Sequence, residues 1–217
     1  MNRFEYLRMR GLAITWLVLG RTAAALTLFD RMLERWPDDV YALSSRANLL
    51  VHAKRGDDAL RDLARLVQLQ PEHAAHHFNH GFALEEGGLL EPARLAFVRA
   101  IELDATLDRA WYGLGLTLIR LKRFEEAETA LRRNTELQPM SPYGWYQLAR
   151  VHVDRHDPES ALKVIRHLQG FEPKVAAQLV RETGLRLEAQ PSERSCRRWP
   201  EGRRVFRAHK AHSTRKR

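Results

Sequence analysis

The stretch RAWYGLGLTLIRLKRFEEAETAL, residues 109 to 131, has the apolar spacing of helices but carries Gly113 and Gly115 inside that pattern. A glycine inside a helix costs about 0.5 to 1 kcal/mol relative to alanine, so these two glycines need a physical reason. The simplest reason is a neighbouring helix that leaves no room for a side chain. The stretch therefore predicts closely packed helices.

The rest of the chain follows the same pattern with a period of 34 residues. Pro37 and Pro71 are 34 residues apart, and so are Pro139 and Pro173. Steps of 34 from Ala25 reach alanine each time, at Ala59, Ala93, Ala127 and Ala161. Steps of 34 from Gly115 reach only the two smallest residues, at Ala13, Ala47, Gly81 and Ala149. Such a period indicates stacked helix pairs, and we predict that antiparallel helices touch backbone to backbone at the small positions.

Residues 111 to 139, WYGLGLTLIRLKRFEEAETALRRNTELQP, resemble the tetratricopeptide repeat (TPR) family. The residues that carry the resemblance are Trp111, Leu114, Gly115, Ala127, Leu131 and Pro139, while Leu118 replaces the family tyrosine. The register assigns five repeats, residues 6–39, 40–73, 74–107, 108–141 and 142–175. The second and third repeats depart most: Leu43 and His77 stand at the tryptophan position, and Arg46 and His80 stand at a leucine position.

The resemblance implies an all-α fold, a right-handed α-solenoid of five helix-turn-helix repeats. Apolar residues of PKVAAQLVRETGLRLEAQ fall on one side of a helix, which predicts a capping helix at about residues 174–189 and a solenoid domain over residues 1–189. Residues 190–217 contain ten Lys or Arg against two Glu, a net charge of +8 out of the chain's +9. This composition predicts a basic disordered tail.

The start of the chain, MNRFEYLRMRGLAITWLVLG, places an apolar segment after a basic one and so imitates a signal peptide. The repeat register favours a structural reading, because it makes residues 11 to 19 part of the first helix. No apolar run reaches the roughly 18 residues of a membrane span. One cysteine, Cys196, excludes an internal disulfide framework, and we expect a cytoplasmic protein. A secreted or membrane-assembly factor remains an alternative.

Curved stacks of helix pairs form a concave groove lined by the first helix of each repeat. In this register the groove combines aromatic rings, carboxamides and two arginines, which suits recognition of a peptide. The candidate residues are Tyr41, Asn48, Phe78, Asn79, Phe82, Arg109, Tyr112, Tyr143, Tyr146, Gln147 and Arg150. The alternative for Phe78, Tyr112 and Tyr146 is packing between repeats.

Carboxylate-clamp members of the family hold acidic chain ends with two asparagines and three basic residues. Asn48, Asn79 and Arg109 match that set, whereas Ser44 and Gly113 stand at the other two basic positions. The resemblance therefore implies only a fragment of the clamp. Arg109, Arg120 and Arg150 nevertheless predict an electropositive C-terminal half of the groove and a preference for acidic peptide segments.

Four histidines, His73, His76, His77 and His80, form a cluster in which His76 and His80 have the i, i+4 spacing of a helical metal pair. Packing or capping is the favoured interpretation, because no third ligand can be identified. Catalytic motifs such as GxGxxG, HExxH, CxxC and GxSxG are absent, and adjacent glutamates such as Glu85 and Glu86 are interpreted as solvated. We expect no enzyme, no cofactor and no metal.

The sequence as a whole favours a non-enzymatic scaffold or adaptor that binds a protein or peptide in the groove. The alternative is a nucleic-acid-associated protein that binds RNA or DNA through its basic tail, in which Arg alternates with Trp199 and Phe206. The sequence leaves the partner and the oligomeric state open.

Overall fold

The computed structural model describes residues 3–185, and all regular structure in that range is helical. The helices are α1 (Arg3–Val18), α2 (Thr22–Arg35), α3 (Val40–His52), α4 (Gly56–Leu69), α5 (Ala74–Glu86), α6 (Leu90–Leu103), α7 (Asp108–Arg120), α8 (Phe124–Leu137), α9 (Pro142–Asp154), α10 (Pro158–Phe171) and α11 (Pro173–Thr183). The first ten form five antiparallel pairs that stack side by side as an α-solenoid.

The 34-residue period of the sequence reappears in the backbone. From α3 onward the first helix of each pair begins at residues 40, 74, 108 and 142, and α1 begins earlier, at Arg3. The turn inside each pair contains one residue with positive φ: Gly20, Lys54, Gly88, Lys122 and His156. This left-handed conformation costs a non-glycine residue roughly 1 to 2 kcal/mol, so the geometry of the pair, and not the residue type, decides it at three of the five turns.

Gly115 is buried and Gly113 is half-buried, and side chains fill the space beside both. Gly115 faces Leu131 of its own pair, where an added Cβ would lie 2.7 Å from Leu131 Cγ. Gly113 faces Phe97 of the preceding pair, again with 2.7 Å between an added Cβ and the ring. The predicted contact of backbone with backbone is therefore wrong at these glycines. They accommodate a large residue from a neighbouring helix.

His77 replaces a tryptophan of the repeat pattern without losing its hydrogen bond. Trp111 Nε1 donates to the carbonyl of Ala105 and Trp145 Nε1 donates to that of Pro139, each at 2.9 Å. His77 Nε2 lies 2.8 Å from the carbonyl of Pro71, the same position in the repeat. A carbonyl only accepts, so His77 carries a proton on Nε2 and the ring ties the helix to the loop before it.

Arg46, at a leucine position of the repeat, is balanced by a buried carboxylate. Its Nε and Nη2 donate to the two carboxylate oxygens of Asp62 at 2.8 and 2.6 Å, and its Nη1 donates to Asp30 Oδ1 at 2.8 Å. Asp62 is 4 % exposed. The hydrogen bonds to Asp62 raise the pKa of Arg46, which keeps the guanidinium charged inside the second pair.

His152 is a buried polar residue at a position that three other repeats fill with leucine: Leu50, Leu84 and Leu118. Its Nδ1 has no hydrogen-bond partner in the described part of the chain, and Asp157 Oδ2 is 3.9 Å away. Burial is the main reason why the pKa of His152 is lowered, and Arg132 lowers it further against the opposite effect of Asp157. The fold therefore favours the neutral ring.

Replacing His152 by Leu is expected to stabilise the protein, by about 1 to 3 kcal/mol, because the unsatisfied nitrogen disappears. The unfolded chain takes up a proton near the ordinary histidine pKa, whereas the folded chain does so only at lower pH. Well above the ordinary histidine pKa, the protonation of His152 therefore does not affect the free energy of unfolding. Below that pKa it lowers the free energy of unfolding by up to about 1.4 kcal/mol per pH unit. Urea unfolding between pH 5 and pH 8 should show a shallower slope for His152→Leu. The matched control is His52→Leu, which replaces an exposed histidine by the same residue.

The capping helix α11 is shorter than predicted. Its Ala176 and Leu179 are buried against the last pair, as a cap requires, but the helix ends at Thr183 and not near residue 189. The physical reason is Gly184, which adopts a left-handed conformation with φ of 71° and whose N–H bonds back to Val180. The predicted basic tail, residues 190–217, lies outside the described residues and stays a prediction.

Candidate functional site

The eleven predicted groove residues all lie on α3, α5, α7 and α9, the first helices of the second to fifth pairs. None of the eleven is buried: Asn48, Asn79, Phe82, Arg109, Tyr143 and Arg150 are exposed, and the others are half-buried. The first helices α5, α7 and α9 contact each other in order, and α3 and α5 line a common cavity, so the side chains of the four helices form one continuous surface. We call this surface the groove.

The N-terminal half of the groove contains a cavity of about 210 Å³ between α3 and α5. Its walls are mostly apolar, and two exposed residues with carboxamide side chains, Asn48 and Asn79, are part of its lining. The lining residues are Ser44, Ala47, Asn48, Val51, His52, Leu63, Phe78, Asn79 and Phe82. Val51 and His52 were not predicted, although they follow Asn48 by three and four residues and so share its face of the helix.

Aromatic rings in the groove are covered by arginine side chains. The guanidinium carbon of Arg109 lies 5.0 Å from the centre of the Phe78 ring, and that of Arg150 lies 5.9 Å from the Tyr146 ring. Arg10 of α1 lies 4.3 Å from the Tyr41 ring in the same way. These contacts hold the cations on the groove while their N–H groups can still meet a ligand.

Phe78 also packs between neighbouring helices, which was the alternative to a role in binding. Its ring lies 6.0 Å from that of Phe97, a buried residue of α6, and Tyr41 lies at the same distance from buried Phe29. Tyr112 is half-buried and forms a hydrogen bond with Gln147. Burial is the first cause of the raised pKa of Tyr112. Phe78 and Tyr41 therefore pack against the core and remain partly exposed on the groove.

Arg120 does not contribute the free positive charge that the sequence suggested. Its Nη1 donates to the backbone carbonyl of Glu85 at 2.8 Å and also bonds the Glu85 carboxylate. The Glu85 side chain is only 13 % exposed, so the interpretation of Glu85 as solvated is wrong as well. The two residues are 35 positions apart in sequence, which is why their pairing became visible only in the folded chain.

The C-terminal end of the groove is bordered by the capping helix. A cavity of about 310 Å³ lies between Tyr112, Pro142, Tyr143, Tyr146 and Gln147 on one side and Val175 and Gln178 of α11 on the other. Tyr146 donates from its hydroxyl to Glu182 Oε2 at 2.5 Å, and Gln178 donates to Glu182 Oε1 at 2.7 Å. The hydrogen bond from Tyr146 is the first cause of the lowered pKa of Glu182, and nearby Arg150 adds to it.

The histidine cluster is engaged in local contacts. His76 Nε2 lies 2.8 Å from Gln70 Oε1, and the rings of His73 and His76 stack at 4.1 Å. Burial is the main cause of the lowered pKa of both His76 and His80. Across residues 3–185 no group of three or more His, Cys, Asp or Glu is arranged to hold a metal ion.

Over the described range, none of the helices is both long enough and apolar enough to cross a membrane.

Comparison with protein families gives a match over most of the helical region. Two models of the tetratricopeptide repeat family match, one at residues 10–64 and 45–108 and the other at residues 108–139. Together they cover residues 10 to 139, which is more than half of the 217-residue chain.

Individual proteins resemble the chain at low identity. Superkiller protein 3 of Saccharomyces cerevisiae is 24 % identical over 153 residues, which is 67 % of this chain but only 10 % of that protein. A crystal structure of MamA protein superposes with a TM-score of 0.74 at 18 % identity, covering 84 % of this chain and 97 % of that one. YrrB, described as a TPR protein with an unusual peptide-binding site, superposes with a TM-score of 0.69 at 18 % identity, covering 79 % of this chain and 89 % of that one. At this identity the likeness establishes the fold, and it confirms the predicted TPR solenoid.

Proposed function

The chain belongs to the tetratricopeptide repeat family, whose members mediate protein–protein interactions and scaffolding, and from that premise we propose that it is a non-enzymatic adaptor that binds a peptide segment of a partner protein in its groove. The observation that carries the proposal is the cavity between α3 and α5, which has mostly apolar walls and includes the exposed residues Asn48 and Asn79 in its lining. An apolar side chain of a peptide would enter the cavity. Asn48 and Asn79 would each offer a donor and an acceptor to its backbone.

YrrB supports the proposal by analogy of fold, since it has a peptide-binding site on a similar solenoid. The analogy extends to the type of ligand and not to individual residues. The partners of Superkiller protein 3 are not carried over to this chain, because the matched region is only 10 % of that protein.

Selection from a library of displayed random peptides, with the full chain as bait, tests the proposal. Enriched peptides would then be titrated against the chain by fluorescence anisotropy. We expect Asn48→Ala with Asn79→Ala to weaken binding about tenfold, the effect of losing two hydrogen bonds of ordinary strength. The matched control, Gln68→Ala with Gln138→Ala, removes two exposed carboxamides outside the groove and should leave the affinity unchanged. Equal affinities for both double variants would contradict a ligand in the groove.

The charge of the groove adds a preference for acidic peptides, which we propose to rest on Arg109 and Arg150. Both are exposed, and both are held over aromatic rings, so their orientation toward the groove costs little entropy on binding. Glu182 already lies close to Arg150, so Arg109 is expected to contribute more.

Replacing Arg109 and Arg150 by Ala is expected to lower the affinity for an acidic peptide by roughly tenfold at low salt. The decrease should be smaller at high salt, because screening already reduces the wild-type affinity there. The measurement is anisotropy with an enriched peptide and with the same peptide whose Asp and Glu are changed to Asn and Gln. The control variant, Arg31→Ala with Arg166→Ala, changes the net charge equally on second helices. An unchanged affinity for the acidic peptide in the groove variant would remove the acidic preference but leave peptide binding intact.

A further inference from the structure

The first helix, α1, has two apolar faces. One face packs inward: Ala13 is fully buried, and Tyr6, Met9, Trp16 and Leu17 pack against the adjoining core. The opposite face carries Phe4, Leu7, Gly11, Ile14 and Val18, at alternating spacings of three and four residues. We call these five residues the α1 stripe. Its large side chains are 77 %, 55 %, 44 % and 81 % exposed.

The repeat itself does not require an apolar residue at the position of Val18. Residues at the position of Val18 in the later repeats are all polar: His52, Glu86, Arg120 and Asp154. Gly11 stands at the position of Gly113, yet an added Cβ at Gly11 would meet no atom within 4 Å, whereas at Gly113 it would meet Phe97. An apolar surface of this extent is unusual on a protein exposed only to water and indicates an interaction site.

The charges beside the stripe are positive. Arg3, Arg8 and Arg10 of α1 are exposed, and they fall on the borders of the stripe in a helical projection. The acidic residue of α1, Glu5, projects to the other side, and its Oε2 lies 3.9 Å from Arg35 Nη2. An apolar band edged by arginines is complementary to an anionic lipid surface, because the apolar side chains enter the acyl boundary while the long cationic side chains reach the headgroups.

We propose that α1 is a docking helix for anionic membranes and lies flat in the headgroup region through the α1 stripe. A second copy of the chain is the competing occupant for an apolar face. Charge opposes a copy packed with its α1 parallel, because Arg3, Arg8 and Arg10 would then border the equivalent arginines of the partner copy. The stripe continues the groove face onto α1, since Leu7, Gly11 and Ile14 stand 34 residues before Tyr41, Ser45 and Asn48. The proposal nevertheless rests on residues other than those that line the cavity between α3 and α5.

Vesicle flotation with the full-length chain tests the proposal. The vesicles are phosphatidylcholine alone or an equimolar mixture of phosphatidylcholine and phosphatidylserine. Phe4→Gln with Val18→Gln removes the two most exposed apolar side chains of the stripe, and its control, Leu95→Gln with Met140→Gln, removes exposed apolar side chains elsewhere. Arg3→Gln with Arg8→Gln removes two bordering cations, and its control is Arg166→Gln with Lys174→Gln. All eight positions are exposed, so the variants should fold normally.

We expect the wild-type chain to bind only the phosphatidylserine vesicles. The apolar variant should lose at least tenfold in affinity. The loss in the arginine variant should be about fivefold per cation. Both controls should bind like wild type. A dye attached to Val18→Cys in a Cys196→Ser background should shift to the blue on vesicle addition, while the same dye at Leu95→Cys should not.

Three outcomes would overturn the proposal. The first is absence of binding to either vesicle. The second is binding that is equal for wild type and both stripe variants, which would place the contact elsewhere in the chain. The third is a dimer, detected by light scattering, that Phe4→Gln with Val18→Gln converts to a monomer without any vesicle binding, since the stripe would then be covered by a second copy.

Discussion

Arg46→Leu is expected to destabilise the protein by about 3 to 5 kcal/mol, although leucine is the residue that this position of the repeat usually carries. The substitution removes the partner of Asp62, which is 4 % exposed and would remain as a buried carboxylate. Asp62→Ala should cost less, about 1 to 3 kcal/mol, because Arg46 keeps Asp30 at 2.8 Å and its side chain is 24 % exposed. Urea unfolding followed by circular dichroism measures both values.

The double variant Arg46→Leu with Asp62→Ala should recover most of the loss. At these two positions it becomes like the chain's own fourth repeat. Leu114 and Ala130 occupy the equivalent positions there, and both are buried without any charge. Replacing a whole buried ion pair by apolar residues is often neutral or stabilising, whereas removing one partner is not. If the double variant were as unstable as Arg46→Leu alone, the cost would come from packing, and the buried pair would not explain it.

Phe97→Ala is the second substitution for which we expect a large effect, a loss of about 3 to 5 kcal/mol. Phe97 is 1 % exposed, and its ring fills the space left by two glycines of the flanking first helices. An added Cβ at Gly81 would lie 3.0 Å from the ring, and one at Gly113 would lie 2.7 Å from it. The ring therefore couples the third pair to the fourth.

The same geometry predicts a change of sign for Gly113→Ala. In the wild-type chain this substitution forces the Phe97 ring to move and should cost about 1 to 3 kcal/mol. In a Phe97→Ala background the ring is gone, and the gain in helix propensity should make Gly113→Ala stabilising by about 0.5 to 1 kcal/mol. Equilibrium unfolding of the four proteins measures the coupling. Additive effects would mean that Gly113 is not limited by Phe97.

The sequence predicted the architecture because a solenoid depends on local and periodic contacts. Each helix packs mainly on its neighbours in the chain, so a residue's position in the repeat decides its burial. The alanines from Ala25 to Ala161, which are all fully buried, show this directly. The helix starts agree with it, since they follow the predicted repeat boundaries from residue 40 onward. The groove face followed from the same register, since its residues lie on first helices.

The tertiary structure decided which of these residues remain available and what compensates the exceptions to the pattern. Arg120 is paired by Glu85 of the preceding repeat, Glu182 of the capping helix approaches Arg150, and Asp62 balances Arg46. Each of these pairings depends on the length and direction of individual side chains. The repeat register does not encode that detail. The sequence by itself determined the α-helical repeat, its period and the face of the groove, because these depend on spacing along the chain. Only the folded structure decided the charges in the groove, the side chains that occupy the glycine positions and the exposure of the α1 stripe, because these depend on atoms that different repeats bring together.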